Sequence, residues 1–182
     1  MKRKLQWEYP EIFGKHFYFA VLGGLHIEQQ LLKICGQLVR GSGLDDIMGK
    51  ANLSYIGLKT AFTDVNDIKK AFYSLQIIVI CLYKQLKTAH YQSKSNLSID
   101  EWAKSQSAIM FNYWYKTLKF QITTLMTVRC FRETNLILLI DCLKEAVSLC
   151  FSLDHIKYSR WISVHIHDLE TLSVENKELF DN

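Results

Sequence analysis

From Val65 to Leu86, apolar residues return at steps of three and four: Val65, Ile68, Phe72, Leu75, Val79, Leu82 and Leu86. That recurrence marks one face of a helix and predicts one from about Asp64 to Tyr91. Ile77, Ile78, Ile80 and Cys81 broaden the stripe at its middle. A stripe that wide predicts a helix enclosed by neighbours in a bundle, because a two-stranded coiled coil would leave the extra residues in water. Upstream, Leu25, Leu32, Cys35 and Leu38 or Val39 share a face, and Gly41-Ser42-Gly43 ends that segment. Leu44 to Ala51 suits a short helix with Asp45 and Asp46 in its first turn. Residues 52–63 show no clear period.

Downstream, the polar stretch Gln92-Ser93-Lys94-Ser95-Asn96 reads as a loop. Ser98 followed by Glu101 is a capping box, each side chain serving the other's free backbone amide. After a break near Ser105-Gln106-Ser107, Phe111, Trp114, Leu118, Ile122 and Leu125 predict another helix. Leu136, Leu139, Ile140, Leu143, Val147 and Cys150 predict the next. The last runs from about Asp154, as its N-cap, to Leu172, with Ile162, Ile166 and Leu169 inward. Only residues 16–22, His-Phe-Tyr-Phe-Ala-Val-Leu, break the helical habit. They are aromatic, β-branched and stopped by Gly23-Gly24, which predicts a short strand buried on both faces. The expected fold is therefore mainly α, a multi-helix bundle with one short N-terminal β-strand. Its expected organisation is an N-terminal segment over 1–24, a helical domain over 25–172 and an acidic, fraying tail over 173–182.

Composition supports a packed core. Of 182 residues, 49% are hydrophobic and 13% aromatic, and Pro10 is the only proline. That length suits one domain without metal or disulfide support. The most apolar run, Leu75 to Tyr83, is far short of the roughly 20 residues that span a bilayer. Lys2-Arg3-Lys4 is followed by Trp7-Glu8-Tyr9-Pro10-Glu11 rather than by the apolar stretch of a signal peptide. The expectation is an intracellular protein, cytoplasmic or nuclear, with no membrane partner. The five cysteines, Cys35, Cys81, Cys130, Cys142 and Cys150, contain no CxxC pair and all fit apolar stripes, so they read as reduced, buried core thiols. No metal and no cofactor are expected.

Charge is uneven. Residues 1–97 hold 13 Lys/Arg against 7 Asp/Glu, and residues 98–182 hold 9 against 11. A basic first half can attract phosphate, although a solvated lysine face is the commoner cause. Lys69, Lys70, Lys84 and Lys87 fall on the polar side of the long helix with Tyr73, Tyr83 and Tyr91 close in sequence, and they are the candidate nucleic-acid contacts. His26 and Glu28 are the candidate catalytic pair. On a continuing strand they would point the same way, whereas a helix starting at Leu25 sends them apart. The structural reading is preferred, since no third ligand is identifiable. Gly23-Gly24 and Gly41-Ser42-Gly43 match no phosphate-binding fingerprint and read as turns. His165 and His167 diverge on a helix, and His165 with Asp168 reads as a surface hydrogen bond at i, i+3.

Several segments carry a family resemblance. They are Gln6-Trp7-Glu8-Tyr9-Pro10, Gly23-Gly24-Leu25-His26-Ile27-Glu28, Gly41-Ser42-Gly43-Leu44 and Phe111-Asn112-Tyr113-Trp114. Val128-Arg129, Arg132-Glu133 and the stretch Phe151 to Trp161 complete the set, Tyr158-Ser159-Arg160-Trp161 being one of the two most specific motifs. Their order resembles a family of uncharacterised transposable-element-derived proteins. Lys157 stands where that family has asparagine, and an Asp-Gln-Pro segment that precedes the Trp-Glu-Tyr-Pro region has no counterpart here. The resemblance implies a truncated C-terminal copy, a transposon-derived remnant without catalytic activity that retains some nucleic-acid affinity. Descent from RNase-H-like transposases would make residues 16–22 one strand of an interrupted α/β core. Two-metal phosphoryl chemistry would then lack a carboxylate from the missing part. The alternative is a helical protein-interaction module that meets a protein partner, or itself, through apolar helix faces.

Overall fold

A computed structural model of the chain describes residues 2–14, 22–50 and 58–175. Among these residues there are ten helices and no strand. The helices are α1 (Lys2–Glu8), α2 (Pro10–Phe13), α3 (Gly24–Val39), α4 (Leu44–Lys50) and α5 (Leu58–Asp64), then α6 (Ile68–Ser93), α7 (Ile99–Ser105), α8 (Ile109–Glu133), α9 (Leu136–Ser152) and α10 (Ile156–Glu175). The mainly helical expectation therefore holds. The strand expected over 16–22 lies outside the described residues except for Leu22, which is not in a strand and packs half-buried against the core. The N-terminal segment instead begins with helices, α2 entered through Pro10 at its first position, where a missing N–H costs nothing.

Two boundaries differ from the pattern. The long helix starts at Ile68, not Asp64, because Asp67 caps it by accepting from the Lys70 amide at 3.1 Å. Val65, first in the apolar stripe, precedes the helix with φ 51° and is buried as part of the α5–α6 turn. Asp154 does not cap α10. It has φ 62°, and it is the His155 carbonyl that accepts from the Tyr158 and Ser159 amides. Elsewhere the local chemistry decides as expected. Ser98 and Glu101 form the capping box of α7, and Asn135 caps α9 through the Leu138 amide. Residues 52–63, without a clear period, contain the start of α5.

The core lies where α3 crosses α5, α6, α8 and α9, with α10 packed on α9. Leu31, Leu32, Ile34, Phe62, Leu75, Leu143 and Ile162 are among its fully buried members. Each such side chain contributes about 1.5–3 kcal/mol by leaving water. Gly36 is required at the α3–α5 crossing, since a Cβ there would stand 2.6 Å from the Phe62 carbonyl oxygen. Arg40 closes the same crossing from outside, pairing with Asp64 at 3.1 Å.

Helix α8 departs most from its pattern. Of its apolar stripe, only Leu118 is buried, and Phe111, Trp114, Ile122 and Leu125 are half-buried. The face that is sealed carries Thr117, Gln121, Thr123, Thr124 and Thr127. Threonines tolerate this because Thr123, Thr124 and Thr127 donate to the carbonyls of Lys119, Phe120 and Thr123, one turn back. Thr124 also meets the Cys35 sulfur at 3.4 Å, a polar contact across the α3–α8 interface. Gln121 is fully buried, and neither atom of its amide has a hydrogen-bond partner among the described residues.

Candidate functional site

Because α6 and α8 run antiparallel, the second half of α6 lies beside the first half of α8. Helix α7 packs against both. Its Trp102 meets His90 of α6 edge-on at 5.4 Å and Phe111 of α8 at 5.5 Å. Tyr115 of α8 donates to Asp100 of α7 at 2.7 Å. Burial, and after it that bond, push the Tyr115 phenol up to about 12, while the Asp100 carboxyl is held below its usual range, first by the same bond and then by Lys119 and Lys104. Helix α7 thus acts as a spacer at this end of the α6–α8 pair.

The space held open is an apolar groove of about 860 Å³. Its α6 wall is Ile77, Ile78, Cys81, Leu82, Gln85, Leu86 and Ala89, and its α8 wall runs from Met110 to Leu118. Leu44, Ile47 and Met48 of α4 close the inner end. The wall on α6 covers 13 residues, about 18 Å from first to last or just over three turns. Apolar side chains continue outside it, Ile80 being 66% and Ile109 85% exposed. This corrects the expectation of an enclosed long helix: Ile80 and Cys81 face water.

The predicted nucleic-acid contacts, Lys69, Lys70, Lys84 and Lys87, are all exposed on α6. Lys70 pairs with Asp67 at 3.8 Å, and the other three make no ion pair with a described residue. Along α6, Lys69, Tyr73, Gln76, Ile80, Lys84, Lys87 and Tyr91 recur at steps of three and four, and all are exposed. They form one outer line on a helix of 26 residues that contains no carboxylate. Tyr83 is exposed beside that line. Exposure, not sequence distance, brings these residues together.

His26 and Glu28 do not form a pair. With α3 starting at Gly24, residues two apart diverge by about 200°. Burial raises the Glu28 carboxyl, an effect partly offset by the Arg132 guanidinium, which itself lies 5.3 Å from the centre of the Phe72 ring. His165 and Asp168 are buried rather than at the surface, on the inner face of α10 with Ile162 and Ile166, while His167 is exposed. No group of three or more metal-binding side chains occurs among the described residues. Four cysteines are buried, and burial lifts Cys35 to about 12 and Cys142 and Cys150 to about 11. Cys81, expected in the core, is exposed in the groove.

Sequence reasoning missed the groove and a second cleft. That cleft, about 500 Å³, lies between α1 and α10 and is lined by Trp7, Ile156, Lys157, Arg160, Trp161 and Val164. The available signal was the aromatic content of the two flanking motifs, Trp7-Glu8-Tyr9-Pro10 and Tyr158-Ser159-Arg160-Trp161. Among the described residues no helix is long and apolar enough to cross a membrane. No family model, no curated protein and no solved structure matches the chain.

Proposed function

We propose that the protein is a helical interaction module whose α4–α6–α8 groove takes the apolar face of an amphipathic helix from a protein partner. The observation that carries this reading is the groove itself, apolar along both walls and flanked at one end by α7, whose Trp102 lies against His90 and Phe111. Its length of about three turns matches the reach of anchors at i, i+3, i+4 and i+7 on a guest helix. Charge selects the guest. The α6 wall has no carboxylate, and Lys84 stands at its shoulder, so a helix with an acidic flank is favoured over a basic one.

A panel of amphipathic helical peptides with acidic, neutral or basic flanks tests this by fluorescence anisotropy. The acidic peptide should bind most tightly. Met110→Glu and Cys81→Glu, which place charge in the groove without opening the core, should each weaken it about tenfold or more. Equal affinity for all three flanks would remove the charge argument, and binding indifferent to both substitutions would remove the groove.

The resemblance to transposable-element-derived proteins supplies a second reading, a remnant with nucleic-acid affinity and no catalysis of its own. The outer line of α6 favours it, since cations and tyrosines alternate there without a carboxylate. The readings separate by salt. Binding of DNA or RNA through three lysines falls steeply as salt rises, through counterion release, whereas an apolar groove is far less sensitive.

A further inference from the structure

We propose that the Trp7–Trp161 cleft binds a nucleotide unit, base and phosphate together, free or within a single strand. The cleft shares no residue with the groove or with the outer line of α6. Its failure would therefore leave the groove reading standing, and failure of the groove reading would leave it standing; glutamine at Lys69, Lys84 and Lys87 separates it from the α6 line.

Residues 157, 160, 161 and 164 recur on α10 at steps of three, four and seven, so Lys157, Arg160, Trp161 and Val164 occupy one face. That face is not the one facing α9, which carries Ile162, His165, Ile166 and Leu169. Trp7 comes from α1, about 150 positions away in the chain, and completes the cleft. The two indoles, 74% and 41% exposed, present a large apolar surface at the cleft.

The charge beside them points to the ligand's sign. Lys157 and Arg160 make no ion pair with a described residue, and the first turn of α10 holds no acidic residue. Cations of this kind exclude a quaternary ammonium or methyl-lysine guest, which aromatic clefts otherwise favour. They admit an anion. A flat, polarizable guest is favoured by indole faces, which stack on any base, and a phosphate by the lysine and the forked guanidinium. A nucleotide unit joins both requirements in one molecule. The volume, about 500 Å³, lies within the range of small-ligand sites. The arrangement also gives the two separated motifs a common purpose, because Trp7 belongs to one and Arg160-Trp161 to the other.

The test uses the full chain with fluorescein-labelled oligothymidylate, thymidine monophosphate and inorganic triphosphate as probes. Oligothymidylate should bind and quench tryptophan fluorescence. Trp161→Ala should weaken binding about tenfold, within the range of one lost stack. Trp161→Phe should restore most of it, a rescue that damage to folding would not give. Arg160→Gln should lower the slope of affinity against salt by about 0.7, the increment for one phosphate contact on a single strand. Competition by the monophosphate at matched nucleotide concentration would identify a free nucleotide as the guest, and its failure to compete would identify a strand. Displacement by triphosphate as effective as by nucleotide would overturn the proposal, since the base would then contribute nothing. So would absence of binding, or binding lost only when Lys69, Lys84 and Lys87 are together replaced by glutamine.

Discussion

The two halves of α6 carry one continuous apolar stripe and have different surroundings. From Ile68 to Val79 the helix seals Ala71, Ser74, Leu75, Ile78 and Val79 beneath its neighbours, and none of its residues after Val79 is buried. Leu82 and Leu86 continue the stripe but are only half-buried, at the groove. The first half meets the later part of α8 where Arg132 lies over the Phe72 ring, whereas the second borders the groove opposite the start of α8 and meets α7 through His90. A repeating pattern therefore specifies which face of a helix seeks cover, while turns and spacer helices decide whether cover arrives. Here the α7 spacer keeps α8 at a distance over the last turns.

The largest test of that contrast is a matched pair of truncations. Leu75→Ala should lower the unfolding free energy by about 2–5 kcal/mol, because it leaves a cavity in a closed environment. Leu86→Ala, at the open end, should cost about 1 kcal/mol or less, since water already reaches the site. Urea titrations of the two variants measure the difference, and equal losses would mean that the groove is closed in solution. A second test tightens the sealed end. Gly36→Ala drives a methyl group against the Phe62 carbonyl at the α3–α5 crossing and should cost about 1–3 kcal/mol. A neutral outcome would show that α5 can slide, and that the first half of α6 is less firmly covered than its burial indicates.

The smallest test addresses the spacer. Tyr115→Phe removes the donor to Asp100 and should cost about 1 kcal/mol at neutral pH. The pH dependence has two arms. Tyr115 titrates above its ordinary value, so its contribution is full below about 10 and is lost as pH rises through about 12. Asp100 titrates below its ordinary value, so its contribution is present at neutral pH and is lost as acid protonates it. The variant should flatten both arms of the stability profile, measured by thermal melts across pH. Unchanged arms would place the spacer's strength in its aromatic contacts alone.

Most helices were legible because their signals are local. The capping box at Ser98 and Glu101, the glycines ending α3, and the stripes of α9 and α10 all act within one or two turns. What was not legible depends on orientation and partners. Helix α8 turns threonines inward because the hydroxyls of Thr123, Thr124 and Thr127 serve its own backbone, an option that a hydrophobic count does not register. Asp67 rather than Asp64 starts α6 because Asp64 is taken up as the end of α5 and Val65, at φ 51°, turns the chain between them. Of the candidate site residues, the exposure of Lys69, Lys84 and Lys87 followed from periodicity. Trp7 and Trp161 stand in two aromatic motifs, but about 150 positions apart, and neither motif indicates that it meets the other.

The distribution of thiols has a practical consequence. With Cys35, Cys130, Cys142 and Cys150 inside and Cys81 open to solvent, an alkylating reagent should modify the native chain once and quickly, then slowly at four further positions as the fold breathes. The fast event takes place on the groove wall, so a guest lodged there would shield it. The slow events would time the opening of the interior. Mass spectrometry of a single quenched reaction would thus read occupancy and global unfolding as two separate clocks.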